Sequence, residues 1–394
     1  MLKHLTRIIL TIAVLTTHFA NASTIAPSND GLYSKILDEQ RQIVIQLPQS
    51  YNNNQNLTYP VLYLLSGPTN LAHTAGTLDR LNRSGAAPEM IVVGIANTDR
   101  TRDLAPTVNK DPRSGFMGSG GGGDKFLDFI ESELIPYIDK KYRTKSFKIL
   151  SGHSIGGLLV IHSLYTRPQL FQAHFAFSPA VWWSDRMTLA QTETFFADKR
   201  SKTTKEPNFL YMNIGNEGGG MRKIYDELES SIKRNSTESF TFKSEAFNNE
   251  PHNLTSVAGL FNAYRSLFGP LNMPAAQAQQ GLTAIKHYYN DISHRFGYEI
   301  PPPESMINNT AYYYLDSKKQ TEEAIQLFEF NVKLYPDSAN AYDGLADAFE
   351  HNGQIDKALQ QMTLALKHGD KSQGNYEYFK KHQRKLLSML QSNK

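Results

Sequence analysis

The stretch that decides the fold is "KILSGHSIGGLL", residues 148–159. It places Ser154 between Gly152 and Gly156 in the G-x-S-x-G pattern of a nucleophile elbow. An elbow needs a strand that delivers the serine to the sheet's carboxyl edge, a helix whose N-terminus supplies positive potential, and glycines that allow a sharp turn. The preceding "SFKIL" predicts the strand, and residues 155–165 predict an apolar helix. This context favours a nucleophilic serine over an ordinary turn serine.

The chain around the elbow alternates short apolar runs with helix-like stretches, from about residue 35 to 270. Most runs are continuously apolar, as expected for strands that are buried on both faces of a sheet. The predicted strands cover residues 41–47, 60–65, 89–96, 147–152, 174–178, 208–215 and 239–247. Residues 124–142 predict a long helix between two of them. The pattern predicts a mostly parallel sheet flanked by helices.

The first residues have the features of a cleavable export signal. Lys3 and Arg7 precede an apolar run over residues 8–15, and residues 20–22 have the small-x-small form of a signal-peptidase site. The run is too short to span a bilayer, and no later apolar stretch approaches twenty residues. We therefore expect residues 1–22 to be a signal peptide, a periplasmic or secreted location, and no membrane span in the mature protein.

Composition excludes several classes of function. The 394 residues contain no cysteine, which excludes disulfides, a cysteine nucleophile and thiolate zinc sites. The formal charge of +3 falls to 3 − 2 = +1 without the two basic residues of the signal segment, so no attraction to nucleic acid is expected. No H-E-x-x-H or phosphate-loop motif is present. The sequence predicts neither a metal nor a cofactor.

A repeat appears in the last part of the chain, which is helical in pattern throughout. "KQTEEAI" at residues 319–325 and "GQIDKAL" at residues 353–359 lie 34 residues apart and match Ala324 to Ala358. Thirty-four residues is the tetratricopeptide period, in which each helix pair buries its apolar face by stacking on the next. The segment resembles a short tetratricopeptide array, and a generic helical hairpin is the alternative.

These patterns divide the chain into a signal peptide (residues 1–22), a sheet-containing domain (residues 23–270) and a helical tetratricopeptide-like domain (residues 271–394). The helical domain is expected to bind a protein partner, to mediate self-association, or only to brace the first domain.

A serine nucleophile needs a histidine base, and the order Ser, acid, His is expected along the chain. Of the twelve histidines, two lie in the signal segment and five lie beyond residue 270. Four more precede or adjoin the elbow: His73, His153, His162 and His174. His153 is expected to point away from the serine. His252 remains, in the loop after the last predicted strand, and is the predicted base.

The predicted acid is Glu217, in the polar, glycine-rich turn that ends the strand over residues 208–215. A carboxylate there can reach the loop of His252 and orient its ring. Asp226 and Asp185 are rival acids, and a Ser-His dyad without an acid is a further alternative.

An oxyanion hole needs two N–H donors, one from the residue after the serine and one from the loop after the third strand of such sheets. Ile155 supplies the first. The second loop reads "LLSGPTN", in which Pro68 has no N–H to donate. We therefore predict that the N–H of Thr69, or a hydroxyl, takes this place.

The sequence resembles the esterase D family of α/β-hydrolases, within it the enterochelin-esterase-like periplasmic branch. The resemblance rests on "RQIVIQLPQSY", "YPVLYLLSG", "NTDRTRDLAPT", "KFLDFIESELIPYIDKKYRT", "SGHSIGGL" and "FSPAVWW". It implies an α/β-hydrolase fold and a serine ester hydrolase in which Ser154 and His252 match the family's nucleophile and base. A siderophore trilactone or an acyl-sugar ester is the implied small-molecule substrate. An acyltransferase, or an inactive binding protein that acts through its helical domain, is the alternative.

Two further motifs are candidates for substrate contact. Arg100 and Arg102 in "DRTRD" follow a strand end, where they can meet an anionic substrate or form structural ion pairs. Trp182 can line an aromatic pocket, with Trp183 in the core or the reverse. The glycines between residues 115 and 123 are expected to form either a mobile loop beside the site or an inert surface loop.

Overall fold

The structure is a computed structural model. It describes residues 25–52, 54–108, 120–201, 208–236, 240–372 and 374–392, without the side chains of residues 184, 185, 199–201 and 208. The predicted signal segment lies outside these ranges. None of the described helices has an apolar stretch as long as a bilayer span requires.

In the described ranges, eight strands form a single sheet in the order β1-β2-β4-β3-β5-β6-β7-β8. The strands are β1 (Ser28–Ser34), β2 (Glu39–Gln46), β3 (Tyr59–Leu65), β4 (Ile91–Ile95), β5 (Thr144–His153), β6 (Ala173–Phe177), β7 (Asn208–Ile214) and β8 (Phe240–Ala246). β1 and β2 pair antiparallel at one edge, and the strands from β3 to β8 are parallel. The prediction of a mostly parallel sheet flanked by helices is confirmed.

The seven predicted strands correspond to β2 through β8, and β1 was missed. β1 is an edge strand in which most side chains are exposed or half-buried. Its sequence "SNDGLYS" therefore lacks the apolar run that identifies a strand buried on both faces.

Helices cover both faces of the sheet and continue beyond it. They are α1 (Gly67–Arg83), α2 (Arg100–Leu104), α3 (Gly123–Phe129), α4 (Ile135–Lys141), α5 (Ile155–Thr166), α6 (Trp183–Ser201), α7 (Gly219–Asn235), α8 (Thr255–Phe268), α9 (Ala275–Ala278), α10 (Leu282–Phe296), α11 (Glu304–Tyr312), α12 (Thr321–Leu334), α13 (Ala339–His351), α14 (Ile355–His368) and α15 (Gly374–Ser392). The predicted helix over residues 124–142 is α3 and α4 joined by a π-helical stretch, Ile130–Leu134. Pro136 lacks the N–H that an unbroken α-helix needs there.

Strand β3 illustrates why the sheet is apolar on both faces. Val61, Tyr63 and Leu65 face a core cluster that includes residues of α3 and α5, whereas Leu62 and Leu64 face a second cluster that includes residues of α1 and α8. Successive side chains of a strand point to opposite faces, so both sets must be apolar when helices cover both sides.

The helical C-terminal region packs on the amino ends of the parallel strands. Phe296 of α10 lies 5.0 Å, between ring centroids, from Phe147 near the start of β5, and it stacks on Phe268 at 5.8 Å. Arg295 donates from Nη2 to Oγ1 of Thr241, near the start of β8, at 3.1 Å. The helices are thus attached at the edge of the sheet opposite Ser154.

The helices beyond α10 show the period expected from the sequence. α12 begins at Thr321 and α14 at Ile355, a spacing of 355 − 321 = 34 residues. The matched Ala324 and Ala358 are both fully buried in one core cluster. The spacing and burial agree with stacked helix pairs, and the tetratricopeptide assignment itself stays a prediction.

Candidate active site

Ser154 lies in a strained turn at the carboxyl end of β5. Its backbone has φ 59° and ψ −118°, a region that residues other than glycine rarely adopt. The Ser154 N–H donates to the carbonyl of Phe177 at 2.9 Å, and the Ser154 carbonyl accepts from the N–H of Ala180 at 3.0 Å. The end of β6 and the turn after it thus stabilise the strained conformation.

The glycines around Ser154 differ in what they permit. A Cβ on Gly152 would lie 2.5 Å from the carbonyl oxygen of Gly156, and one on Gly157 would lie 3.0 Å from Cα of Pro179. A Cβ on Gly156 would meet nothing nearer than 3.6 Å, which is an ordinary contact. The close approach of the backbone therefore requires Gly152 and Gly157 rather than Gly156.

His252 and Glu217 form a hydrogen-bonded pair at the same edge of the sheet. Nδ1 of His252 lies 2.6 Å from Oε1 of Glu217, whose side chain is only 9% exposed against 39% for His252. Because an ionised carboxylate only accepts, Nδ1 carries the proton and the Nε2 lone pair is free to take one. The structure thus brings together the predicted base and the predicted acid.

The environment keeps Glu217 ionised. Burial raises the pKa of its carboxyl, but interaction with the Ser178 hydroxyl and with His252 outweighs burial, and the resulting pKa lies below the ordinary value. A Cβ on Gly215 would lie 2.5 Å from the carbonyl oxygen of Glu250 and 2.9 Å from Oε2 of Glu217. The turn therefore needs glycine at this position to bring the carboxylate to His252.

The rival acids have no described contact with His252. Asp226 of α7 accepts from Nε of Arg222 at 2.9 Å, one turn away on the same helix. The side chain of Asp185 lies outside the described part of the structure. Glu217 is the carboxylate that bonds to His252 among the described residues.

His153 contacts the predicted base, His252, and its expected orientation away from Ser154 stays a prediction. The two rings lie 4.6 Å apart between centroids, and Nε2 of His153 donates to the His252 carbonyl at 2.7 Å. Burial lowers the pKa of His153 to about 4, so its ring is neutral near neutral pH. Thr255 Oγ1 donates to the same carbonyl at 3.0 Å, so two donors fix the backbone of His252.

The two predicted oxyanion donors fare differently. Ile155 is the first residue of α5, so its N–H belongs to the first turn, where amides have no acceptor within the helix. The Thr69 N–H, by contrast, donates to the carbonyl of Ser66 at 3.2 Å. Ser66 adopts φ 55° and leads directly into α1, so Thr69 lies in a helical turn rather than in an open loop. The Thr69 N–H is thus engaged within the helix, and its place in the oxyanion hole stays a prediction.

Arg102 belongs to a structural ion network. Its Nη2 lies 2.6 Å from Oε1 of Glu39 and 2.7 Å from Oδ1 of Asp103. Asp103 also pairs with the buried Arg41, with 2.6 Å between Oδ2 and Nη2. These pairs agree with the structural ion-pair alternative for Arg102, and a contact of its guanidinium with substrate stays a prediction.

Arg100 is the cation that lies beside the elbow. It donates from Nη2 to the carbonyl of His153 at 2.9 Å and from Nε to Oγ of Ser66 at 3.2 Å. Burial lowers its pKa, and among the described residues no carboxylate forms an ion pair with it. The motif "DRTRD" does not show which of Arg100 and Arg102 lies beside the elbow, because that depends on the direction in which each side chain leaves the first turn of α2.

The tryptophans divide as the sequence allowed. Trp183 is fully buried and donates from Nε1 to the carbonyl of Thr107 at 3.0 Å. Trp182 is partly buried and lies 5.9 Å from Trp183 between ring centroids. Trp182 lies two residues after Ala180, whose N–H donates to the Ser154 carbonyl. Its role in a substrate pocket stays a prediction.

The end of the glycine-rich segment is packed rather than loose. The N–H groups of Gly121 and Gly123 donate to the carbonyl of Ala105 at 3.1 and 3.0 Å, and that of Gly122 donates to the carbonyl of Arg102 at 2.9 Å. This corrects the expectation of a mobile loop for residues 120–123, while residues 115–119 lie outside the described ranges.

Comparison with known proteins points to one family. A family model described as "Putative esterase" matches residues 34–260. Siderophore triacetylfusarinine C esterase of Aspergillus fumigatus is 38% identical over 113 residues, which are 28% of this chain and 37% of that protein. Ferri-bacillibactin esterase BesA of Bacillus subtilis is 32% identical over 177 residues, 40% of this chain and 59% of that protein. The matches thus span less than two thirds of these curated relatives.

Solved structures support the same architecture. An IroE-like serine hydrolase from Shewanella oneidensis is 28% identical, with a TM-score of 0.66, and covers 78% of this chain and 100% of that chain. An uncharacterised protein from Capnocytophaga ochracea has a TM-score of 0.71 at 18% identity and covers 92% of this chain and 100% of that one. The second likeness concerns the fold alone, and it reaches into the helical C-terminal region.

Proposed function

The chain belongs to the esterase family whose model matches more than half of it, and we propose that it hydrolyses carboxylic esters through Ser154, His252 and Glu217. The observation that carries the proposal is the 2.6 Å contact between Nδ1 of His252 and Oε1 of Glu217. This contact leaves Nε2 as the base at the edge of the sheet where the strained Ser154 lies.

The reaction follows from these positions. Oγ of Ser154 attacks the ester carbonyl carbon while Nε2 of His252 takes the hydroxyl proton, and Glu217 stabilises the imidazolium that forms. The N–H of Ile155 donates to the developing oxyanion. The intermediate then expels the alcohol, which receives the proton from His252. Water attacks the acyl-enzyme by the same route and releases the carboxylic acid.

The proposed substrate is a siderophore ester, with an acyl-sugar ester as the runner-up. Of the curated relatives given above, one is named a siderophore esterase and the other a ferri-bacillibactin esterase. Arg100 adds a structural reason, because this cation lies beside the elbow with no carboxylate partner among the described residues and so favours an ester with an anionic group close to the scissile bond.

The proposed location is the periplasm or the exterior. It rests on the sequence of residues 1–22, which lie outside the described ranges. N-terminal sequencing of protein from the periplasm and from whole cells tests it, with Ser23 expected as the first residue of the exported form. An intact Met1 in the exported fraction would contradict it.

The proposed role of the helical region is to bind a protein partner. A cavity of about 500 Å³ opens between α11 and α13. Its lining combines three amide side chains, two acids and two hydroxyl side chains: Glu304, Ser305, Asn308, Asn309, Tyr312, Asn340 and Asp343. Such side chains can bond to the backbone of an extended segment, and the acids favour a basic one.

Paired capture experiments test this role. We expect the double variant Asn308→Leu with Asn340→Leu to lose a protein that the wild-type chain retains. Equal recovery by both chains would contradict the role of this cavity. Sedimentation of the wild-type chain alone separates a partner from a second copy of itself.

Hydrolysis assays test the activity. The wild-type chain and Ser154→Ala are compared on short p-nitrophenyl esters and on a siderophore trilactone. Turnover of either ester by the wild type and background rates for the variant are expected. Equal rates for the two chains would contradict the mechanism and favour a binding protein with a hydrolase fold.

A further inference from the structure

Ser178 is a buried serine in a strained turn just after β6. Its φ is 36°, in the region that favours glycine, and its side chain is fully buried. Glycine would relieve the backbone strain at this position, so the presence of a serine there suggests that the side chain contributes something that glycine lacks.

The backbone of Ser178 is connected to the loop of the predicted base. Its N–H lies 3.0 Å from the carbonyl oxygen of Asn213 and 3.1 Å from Oδ1 of the same residue. Nδ2 of Asn213 donates to the carbonyl of Thr255 at 2.8 Å, and Oγ1 of Thr255 donates to the carbonyl of His252 at 3.0 Å. The turn after β6 and the His252 loop are therefore parts of one hydrogen-bonded arrangement.

The hydroxyl of Ser178 and one oxygen of Glu217 are complementary groups that are both unsatisfied. Oγ of Ser178 and Oε2 of Glu217 are buried, and neither has a hydrogen-bond partner in the described part of the chain. The other oxygen of Glu217, Oε1, is the one that bonds to His252. Interaction with the Ser178 hydroxyl contributes to the lowered pKa of Glu217, as does interaction with His252. A buried carboxylate oxygen without a donor is costly, which makes this hydroxyl its natural donor.

We propose that Ser178 is a positioning residue that donates its hydroxyl to Oε2 of Glu217 and so aims Oε1 at Nδ1 of His252. The proposal rests on the proposed function, because it extends the Ser-His-acid arrangement by one residue. Ser178 touches neither the substrate nor the reacting atoms, and it acts only through Glu217.

Kinetics of four chains give the first test: the wild type, Ser178→Ala, Glu217→Gln and the double variant. We expect Ser178→Ala to lower kcat/KM about tenfold through kcat, with KM unchanged. In the Glu217→Gln background the same change should have no further effect, because the ionised acceptor is gone. Independent, multiplicative losses would overturn the proposal, as would an unchanged rate for Ser178→Ala.

Two further variants separate this effect from a folding defect. Ser178→Gly removes the same hydroxyl and relieves the positive φ, so it should show the same loss of kcat without lower stability. Ser163→Ala is the matched control, because Ser163 is a fully buried serine of α5 whose hydroxyl also has no described partner. A loss of kcat in Ser163→Ala equal to that in Ser178→Ala would count against a specific role.

Unfolding at different pH values tests the contact without any assay of activity. The folded-state pKa of Glu217 is lowered, so the stabilisation from its ionised form is present above the unfolded-state pKa and is lost as pH falls through the folded-state value. The stability difference between the wild type and Ser178→Ala should therefore shrink as pH falls. In the Glu217→Gln background it should not vary with pH.

The two measurements distinguish failure of the inference from failure of the proposed function. If Ser154→Ala hydrolyses esters as fast as the wild type, the esterase mechanism fails, and the pH dependence still reports whether Ser178 holds Glu217. If that difference is independent of pH in both backgrounds, the inference fails even for an active esterase.

Discussion

The two edges of the sheet differ in how they are built. At the carboxyl edge, the residues that follow β3, β5 and β6 are the serines Ser66, Ser154 and Ser178, each with a positive φ. At the amino edge, Phe147 and Phe296 pack ring against ring beneath the helical region. Strained polar residues thus lie where chemistry is proposed, and unstrained apolar residues lie where the C-terminal helices attach.

The difference teaches which changes should affect which property. Substitutions at the carboxyl edge remove single polar contacts, so they should alter rates by large factors and the free energy of unfolding only by the contribution of one contact. Substitutions at the amino edge remove buried apolar contacts, so they should alter the free energy of unfolding with little effect on rates.

Ser154→Ala should have the largest effect. We expect kcat/KM on p-nitrophenyl esters to fall about 10⁴-fold or more, because no other described side chain replaces the nucleophile. Stability should stay close to that of the wild type in thermal unfolding. A large drop in melting temperature would contradict the view that the carboxyl edge mainly determines rates and the amino edge mainly determines stability.

Glu217→Gln should have the next largest effect. The amide neither carries a charge to stabilise the imidazolium nor selects the tautomer of His252, so kcat should fall about 10³-fold. Asp226→Asn is the control, because Asp226 pairs with Arg222 on α7. Equal losses in the two variants would place the acid elsewhere.

Phe296→Ala tests the amino edge, where we expect an effect on stability and not on rate. Removing this nearly fully buried ring should lower the free energy of unfolding by about 3 kcal/mol. At temperatures where the chain is folded, kcat should equal that of the wild type. Phe261→Ala, at a ring that is 48% exposed, should change stability far less in the same denaturant titration.

Arg100→Ala should give a smaller, substrate-dependent effect. KM for an ester with an anionic group should rise about tenfold, as expected for the loss of one charge-assisted contact. KM for a neutral p-nitrophenyl ester should not change. Arg102→Ala is the matched control two residues away, and a rise in KM there for the anionic ester alone would reverse the assignment.

His153→Gln should give the smallest effect, seen only in acid. The pKa of His153 falls from 6.5 to about 4 on folding because the ring is buried. Between these values the unfolded chain binds a proton that the folded chain does not, so the wild type loses stability as pH falls. The variant should lose less over this window in urea titrations, and identical pH profiles would show that His153 is not buried in neutral form.

Local features of the site were readable from the sequence, and features set by backbone direction were not. The strand, glycines and helix around Ser154 are contiguous, so residues 148–159 suffice to predict the turn. Chain order selected His252 and favoured Glu217, because a parallel sheet brings the ends of successive strands to one edge.

The missed residues depend on directions that no pattern encodes. The helical turn at Thr69 follows from the left-handed conformation of Ser66, and neither a serine nor a threonine predicts such a turn. Nothing in "FSPAVWW" marks its serine, Ser178, as a buried residue with a positive φ. The contact between His153 and His252 could have been predicted, since a residue inside the G-x-S-x-G pattern is expected to lie close to the base.

Covalent labelling of the full chain with a fluorophosphonate, read by peptide mass spectrometry, tests the central claim most directly. The proposal predicts one phosphonate adduct, on the peptide that contains Ser154, and much slower labelling in His252→Gln. An adduct on another serine, or none at a reagent concentration that labels a known serine esterase fully, would contradict the assignment of the carboxyl edge as the active site.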